Sequence, residues 1–207
     1  RMNNSSMDAA LESQILSMLN NFVEPISGLS LGALQAVGQL KIEEQQIAAT
    51  LKLPFAMKSQ LAVVQEKLKL QLSELLQSRS IQLTADIVIP AVSSRAKSSA
   101  QAIPGAKNVI AVASGKGGVG KSATALNLAL ALQQEGANVG ILDADIYGPS
   151  QPLMLGVKEG VRPEVVDQNS FLPIEAQGLQ SMSMGYMTTE KTPMVWRGPM
   201  ASGALVQ

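Results

Sequence analysis

The 207-residue chain has no cysteine and no histidine. Thiolates and imidazoles are the usual soft ligands of iron, zinc and sulfide clusters, so cysteine ligation within these residues is excluded. The missing cysteines do not by themselves indicate a redox compartment. The chain also lacks a charge excess. Sixteen Lys and Arg balance sixteen Asp and Glu, which leaves no global attraction to nucleic acid or an anionic membrane. No apolar run is long enough to span a bilayer, there is no basic amphipathic tail, and the polar N-terminal stretch is unlike a signal peptide. The expectation is a soluble, cytoplasmic protein without a nucleic-acid or membrane partner.

What the chain does contain is a phosphate-binding loop. Gly115, Lys116, Gly117, Gly118, Val119, Gly120, Lys121 and Ser122 fit G-x-x-x-x-G-K-[ST], in which small residues let backbone N–H groups curl around phosphate oxygens while a lysine and a hydroxyl complete the cradle. Before the loop, Asn108–Ala113 reads as a short buried strand. After it, ATALNLALALQQEG is rich in helix formers, with Leu126, Ala129 and Leu130 on one side and Gly136 as a stop signal. Strand, loop and helix stand in the order that puts unpaired N–H groups and the positive end of the helix dipole against an anion. Gly115, Gly117 and Gly120 also satisfy the dinucleotide pattern G-x-G-x-x-G, with Asp143 about 20 residues on. Lys121 and Ser122 decide against it, because a dinucleotide turn needs neither cation nor hydroxyl there, whereas a triphosphate with Mg²⁺ uses both.

A second strand is predicted from Ala137 to Leu142, followed by Asp143, Ala144, Asp145, Ile146, Tyr147, Gly148, Pro149 and Ser150. Carboxylates just past the carboxyl end of a strand in an open α/β sheet sit at the crevice where ligands bind. One could orient a water molecule and another could hold Mg²⁺ through water; the bland alternative is that Asp143 caps a turn and Asp145 is merely solvated.

The segment GKGGVGKS resembles the deviant phosphate loop of the MinD/ParA/nitrogenase-iron-protein class, and with DADIYGPS it resembles the Mrp/ApbC-type iron–sulfur cluster carriers within that class. SMSMGYM at Ser181–Met187 and VWRGPM at Val195–Met200 are similar to segments of the same carriers; read locally, they are structural and receive no chemistry. The resemblance implies ATP and Mg²⁺ as cofactors and a homodimer in which Lys116 reaches the partner's phosphates. It implies Asp145 as the residue that orients the attacking water, and Ser122 and Asp143 as the groups serving Mg²⁺. It also implies an iron–sulfur cluster as cargo, delivered to apoprotein recipients, with ligands that this chain does not contain. A MinD/ParA-type positioning ATPase and a catalytically silent interaction fragment are the alternative readings.

The first hundred residues form a different pattern. Leu11, Ile15, Met18, Leu19 and Phe22 fall at helical spacing over 8–22, and strands are predicted at 37–43 and 46–53, the second with Ile47, Ala49, Leu51 and Leu53 alternating. A second helix is predicted over 58–77 and a third strand over 81–89. The order αββαβ suits a small sheet covered by helices and resembles the accessory domain that precedes the ATPase in many bacterial Mrp-type proteins. PAVSSRAKSSAQAIPG then reads as a mobile connection. The domain expectation is an accessory domain at 1–89, a linker at 90–106, and the first part of an α/β P-loop NTPase, with a mostly parallel sheet and flanking helices, at 107–207. Nothing after Asp145 supplies a second apolar strand ending in an acidic residue, and the chain opens on Arg1. Both ends therefore read as cuts from a longer frame, with the family's D-x-P-P-G segment and C-x-x-C motif expected beyond it.

Overall fold

The structure, a computed structural model of the chain, describes residues 4–43, 46–76, 80–90, 103–167 and 170–187. Two compact units emerge, one from residues 1–109 with 135–137 and one from 110–134 with 138–207.

In the first unit the elements are α1 (Asn4–Asn21), β1 (Val37–Ile42), β2 (Gln46–Leu53), α2 (Leu61–Leu76) and β3 (Ser80–Ile87). β2 is the central strand, antiparallel to β1 and parallel to β3. Its alternation is the reason. Ile47, Ala49, Leu51 and Leu53 point to one face and are all buried, as period-two geometry requires of a sheet covered on one side. Val64, Leu68, Leu72 and Leu76 recur at intervals of four along α2 and are also buried, and Ile15 and Leu19 of α1 join the same core. α2 begins three residues later than its periodicity suggests, because Lys58–Gln60 form a 3₁₀ turn behind Met57, whose backbone is not helical. Between α1 and β1, the buried carboxylate of Glu24 accepts from the amides of Ile26 (2.6 Å) and Ser27 (2.7 Å) and from the Ser27 hydroxyl (2.8 Å), which offsets its loss of water.

The second unit contains α3 (Lys121–Gln134), β4 (Gly140–Asp143), α4 (Gln151–Met154), β5 (Val165–Asp167), β6 (Ser170–Phe171), β7 (Ile174–Ala176) and β8 (Leu179–Ser183). A three-stranded sheet has the order β4-β8-β7, and β5 pairs with β6 separately. β4 and β8 are parallel, with Asp143 opposite Ser183, whereas β7 and β8 are antiparallel. The sheet among the described residues is thus mixed rather than mostly parallel. Leu126 and Ala129 of α3 pack with Leu155 and Leu179, and Leu130 lies against them.

One expectation is corrected. Residues 108–113 leading into the loop are in no strand, and Val109 and Ile110 are 67% and 61% exposed. An apolar β-branched run becomes a strand only when a neighbour completes its backbone hydrogen bonds. No described strand pairs with this one. Trp196 and the 195–200 segment, the end of the chain, and most of the linker lie outside the described residues.

Candidate nucleotide-binding site

The loop keeps the conformation its glycines permit. Gly118 and Gly120 have φ of +75° and +85°, a region that side-chain-bearing residues enter only at a cost. A β-carbon added at Gly115, Gly117, Gly118 or Gly120 would meet no atom within 4 Å. Backbone twist, not crowding by the chain, therefore calls for glycine at 118 and 120, and the space around the loop is open. The Ser114 hydroxyl donates to the Lys116 carbonyl at 3.0 Å, and Thr124 N donates to Gly120 O at 2.8 Å as α3 begins. Among the described residues, no backbone carbonyl accepts from the amides of 115–120. They remain available to an anion at the N-terminus of a 14-residue helix. Lys116 is exposed and has no ion-pair partner among the described residues.

Lys121, at the first position of α3, bonds Asp145: Nζ lies 2.9 Å from Oδ2, with the two side chains 32% and 34% exposed. That hydrogen bond is the main reason the Asp145 carboxyl is held below its ordinary value of 3.8. Partial desolvation opposes it, and the Lys121 charge and the amides of Gly148 and Tyr147 reinforce it.

Asp143 is held differently. It ends β4 and is only 6% exposed. Oδ1 accepts from Asp145 N at 3.1 Å, and Oδ2 accepts from Ser150 N (3.0 Å), Gln151 N (3.1 Å) and Ser183 Oγ (3.3 Å). Gln151, itself buried, donates from Nε2 to the Ser122 carbonyl at 3.0 Å. The contacts form a circuit from Lys121 to Asp145, to Asp143, to Gln151 and back through Ser122. Loop 143–151 is thereby fastened to the start of α3.

Of the residues singled out in the sequence, the structure joins Lys121, Ser122, Asp143 and Asp145 in this circuit and leaves Lys116 outside it. Sequence reasoning missed Gln151 and Ser183. Ser183 lies in the SMSMGYM segment and becomes visible only through the parallel register that sets it opposite Asp143. A cluster of three or more acidic or histidine side chains able to hold an ion by themselves does not occur among the described residues. Mg²⁺ bound with phosphates needs few protein ligands. The Ser122 hydroxyl and the remaining acceptor capacity of Asp143 Oδ1 suit that demand.

Residues 105–207 match the ParA family model described as NUBPL iron-transfer P-loop NTPase. Over these residues the chain is similar to this class of nucleoside triphosphatases, and the glycine loop and its lysine lie inside the matched region. Within the class it is similar to the Mrp/ApbC-type carriers. It is 62% identical over 127 residues to the iron-sulfur cluster carrier protein of Pseudomonas fragi, covering 60% of this chain and 44% of that one. With the iron-sulfur cluster carrier protein of Escherichia coli K12 it shares 44% identity over 198 residues, 96% of this chain and 53% of that one. The iron-sulfur cluster transfer protein NUBPL of Dictyostelium discoideum is 48% identical over 104 residues, 50% of this chain and 32% of that one. The chain thus spans about half the length of the curated bacterial carriers it matches most fully, and the Escherichia coli alignment necessarily extends across most of the first unit.

Proposed function

We propose that the chain forms the nucleotide-binding portion of an ATP-hydrolysing carrier that transfers iron–sulfur clusters to apoproteins. The observation that carries the reading is the glycine loop opening α3 with Lys121 paired to the Asp145 carboxylate. The amides of Gly117–Lys121 bind the β-phosphate region, and Lys121 neutralises β/γ oxygens. Ser122 would hold Mg²⁺ through its hydroxyl, with Asp143 serving the ion through water. Bound there, the ion would supply charge neutralisation at the transferring phosphoryl group. Asp145, released from Lys121 when phosphate takes the ammonium, orients the attacking water in line.

Lys116 acts across a homodimer, where a second cation offsets charge that develops on the transferring group. Its exposure and lack of a described partner leave it available for that role. Residues 1–89 serve as an accessory domain, tethered through 90–106. The cluster is cargo, and its thiolate ligands lie outside this chain, which has no cysteine. ATP rather than GTP follows from the relatives' class. Among the described residues no helix is long and apolar enough to cross a membrane, and we place the protein in the cytoplasm. Replacing Lys121 with alanine in the full-length protein is expected to abolish magnesium-dependent ATP turnover and to weaken ATP binding in calorimetry. Binding and turnover left intact would remove the assignment.

A further inference from the structure

We infer that Ser183 is a positioning residue for the phosphate site, acting through Asp143 to hold the loop that carries Asp145. The inference rests on the nucleotide reading given above. Ser183 is the last residue of β8 and is 1% exposed, so it acts on the site through its neighbours. Its hydroxyl has two partners: it donates to Asp143 Oδ2 at 3.3 Å and accepts from Gly185 N at 3.0 Å. The parallel pairing of β4 and β8 sets Ser183 directly opposite Asp143. Both stand at the carboxyl ends of adjacent strands, the edge from which loop 143–151 departs.

Asp143 passes this support onward. The oxygen that accepts from Ser183 also accepts from the amides of Ser150 and Gln151, which close the far end of the loop. The other oxygen accepts from the Asp145 amide. One buried carboxylate therefore fixes both ends of the loop, and Ser183 is the side-chain donor that holds it from the neighbouring strand. Gly185 adds a steric brace. A β-carbon there would lie 3.0 Å from Pro152 Cγ and 3.3 Å from Pro149 Cβ, so the backbone after Ser183 runs against the two prolines flanking Ser150 and Gln151. Ser181, two residues earlier on the same face, is committed elsewhere. Its hydroxyl donates to the Ile174 carbonyl at 3.0 Å and lies 2.7 Å from the Tyr186 hydroxyl. The two serines of the SMSMGYM segment thus differ in role: Ser181 secures the sheet and Ser183 secures the loop.

A group that positions the water-orienting residue affects the chemical step more than substrate capture. In the full-length protein, Ser183→Ala is expected to lower kcat for magnesium-dependent ATP hydrolysis about tenfold, a modest fraction of what an ångström of misplacement can cost. KM for ATP should stay within about twofold of wild type, since the phosphate-binding amides are untouched. Ser183→Thr, which keeps the hydroxyl, restores most of kcat. An alanine variant with wild-type kcat overturns the inference, as does one whose loss appears only as raised KM for ATP. Should Ser183→Ala fail to fold, Ser183→Cys fills the site with a slightly larger atom while weakening the donor, and is read by the same criteria. A wild-type protein without magnesium-dependent turnover removes the nucleotide reading and this inference with it. Wild-type turnover alongside an indifferent alanine variant removes the inference alone.

Discussion

Lys121 cannot serve Asp145 and a phosphate equally, and this competition gives a test with two signs. In the structure the ammonium is 2.9 Å from Asp145 Oδ2. Phosphate entering the loop must compete for that ammonium while meeting the negative charge of Asp145. Asp145→Asn removes the charge and weakens the pair, so nucleotide affinity should rise. The two side chains are about one-third exposed, and such a pair is worth about 0–1 kcal/mol after solvent screening and side-chain ordering. With about 1.4 kcal/mol per factor of ten, the gain is at most about fivefold in Kd. Hydrolysis moves the other way, because removing the group proposed to orient water should lower turnover by about a hundredfold or more.

The assay is calorimetric titration of the full-length wild-type and Asp145→Asn proteins with ADP at low ionic strength, paired with phosphate-release kinetics in ATP and magnesium. Added salt should shrink the affinity difference. The pH dependence follows from the lowered Asp145 pKa. A depressed carboxylate contributes its ion pair fully above the ordinary value of 3.8 and loses it as pH falls through the lowered value. The affinity gap between the variants is therefore expected to be flat between about pH 6 and 8 as far as this group is concerned. An asparagine variant that binds nucleotide more weakly and hydrolyses it at the wild-type rate would refute both the competition and the role of Asp145.

Gly120→Ala forces a β-carbon into φ of +85°, at a cost of about 1–2 kcal/mol in backbone strain. Since no atom crowds the position, the protein should still fold while nucleotide affinity drops, which thermal melting and calorimetry together would reveal. Leu51→Ala empties the centre of the first unit, where Leu51 is fully buried. Denaturant unfolding should show about 2–5 kcal/mol of destabilisation from lost transfer energy and the remaining cavity.

The local patterns were legible where one face of an element is buried. β2 runs over Gln46–Leu53 as its alternation predicts, and α2 and β3 differ from their expected bounds by one to three residues at the described ends. Those ends are set by features that periodicity does not register: the non-helical Met57 before α2, and Pro90 shortly after β3. The phosphate loop was legible because its chemistry is contiguous in the chain. The supports of loop 143–151 were not, because Ser183 reaches Asp143 across 40 residues and depends on strand register. Residues 108–113 illustrate the converse: their composition favours a strand, but composition cannot provide a hydrogen-bonding neighbour.

The two acidic residues of DADIYGPS are separated by a single alanine, yet their surroundings divide the work between them. Asp143 is 6% exposed and held by three backbone amides and one hydroxyl. Moving it would strand the buried donors of Gln151 and Ser183, each costing about 1–3 kcal/mol. Asp145 is about one-third exposed and held chiefly by one lysine whose better partner is a polyphosphate. A group that must respond to ligand needs an interaction that the ligand can displace, and a group that sets geometry needs interactions that it cannot. Under the proposed function, burial and partner type suit Asp145 to the first role and Asp143 to the second, with Ser183 extending the fixed frame into the neighbouring strand.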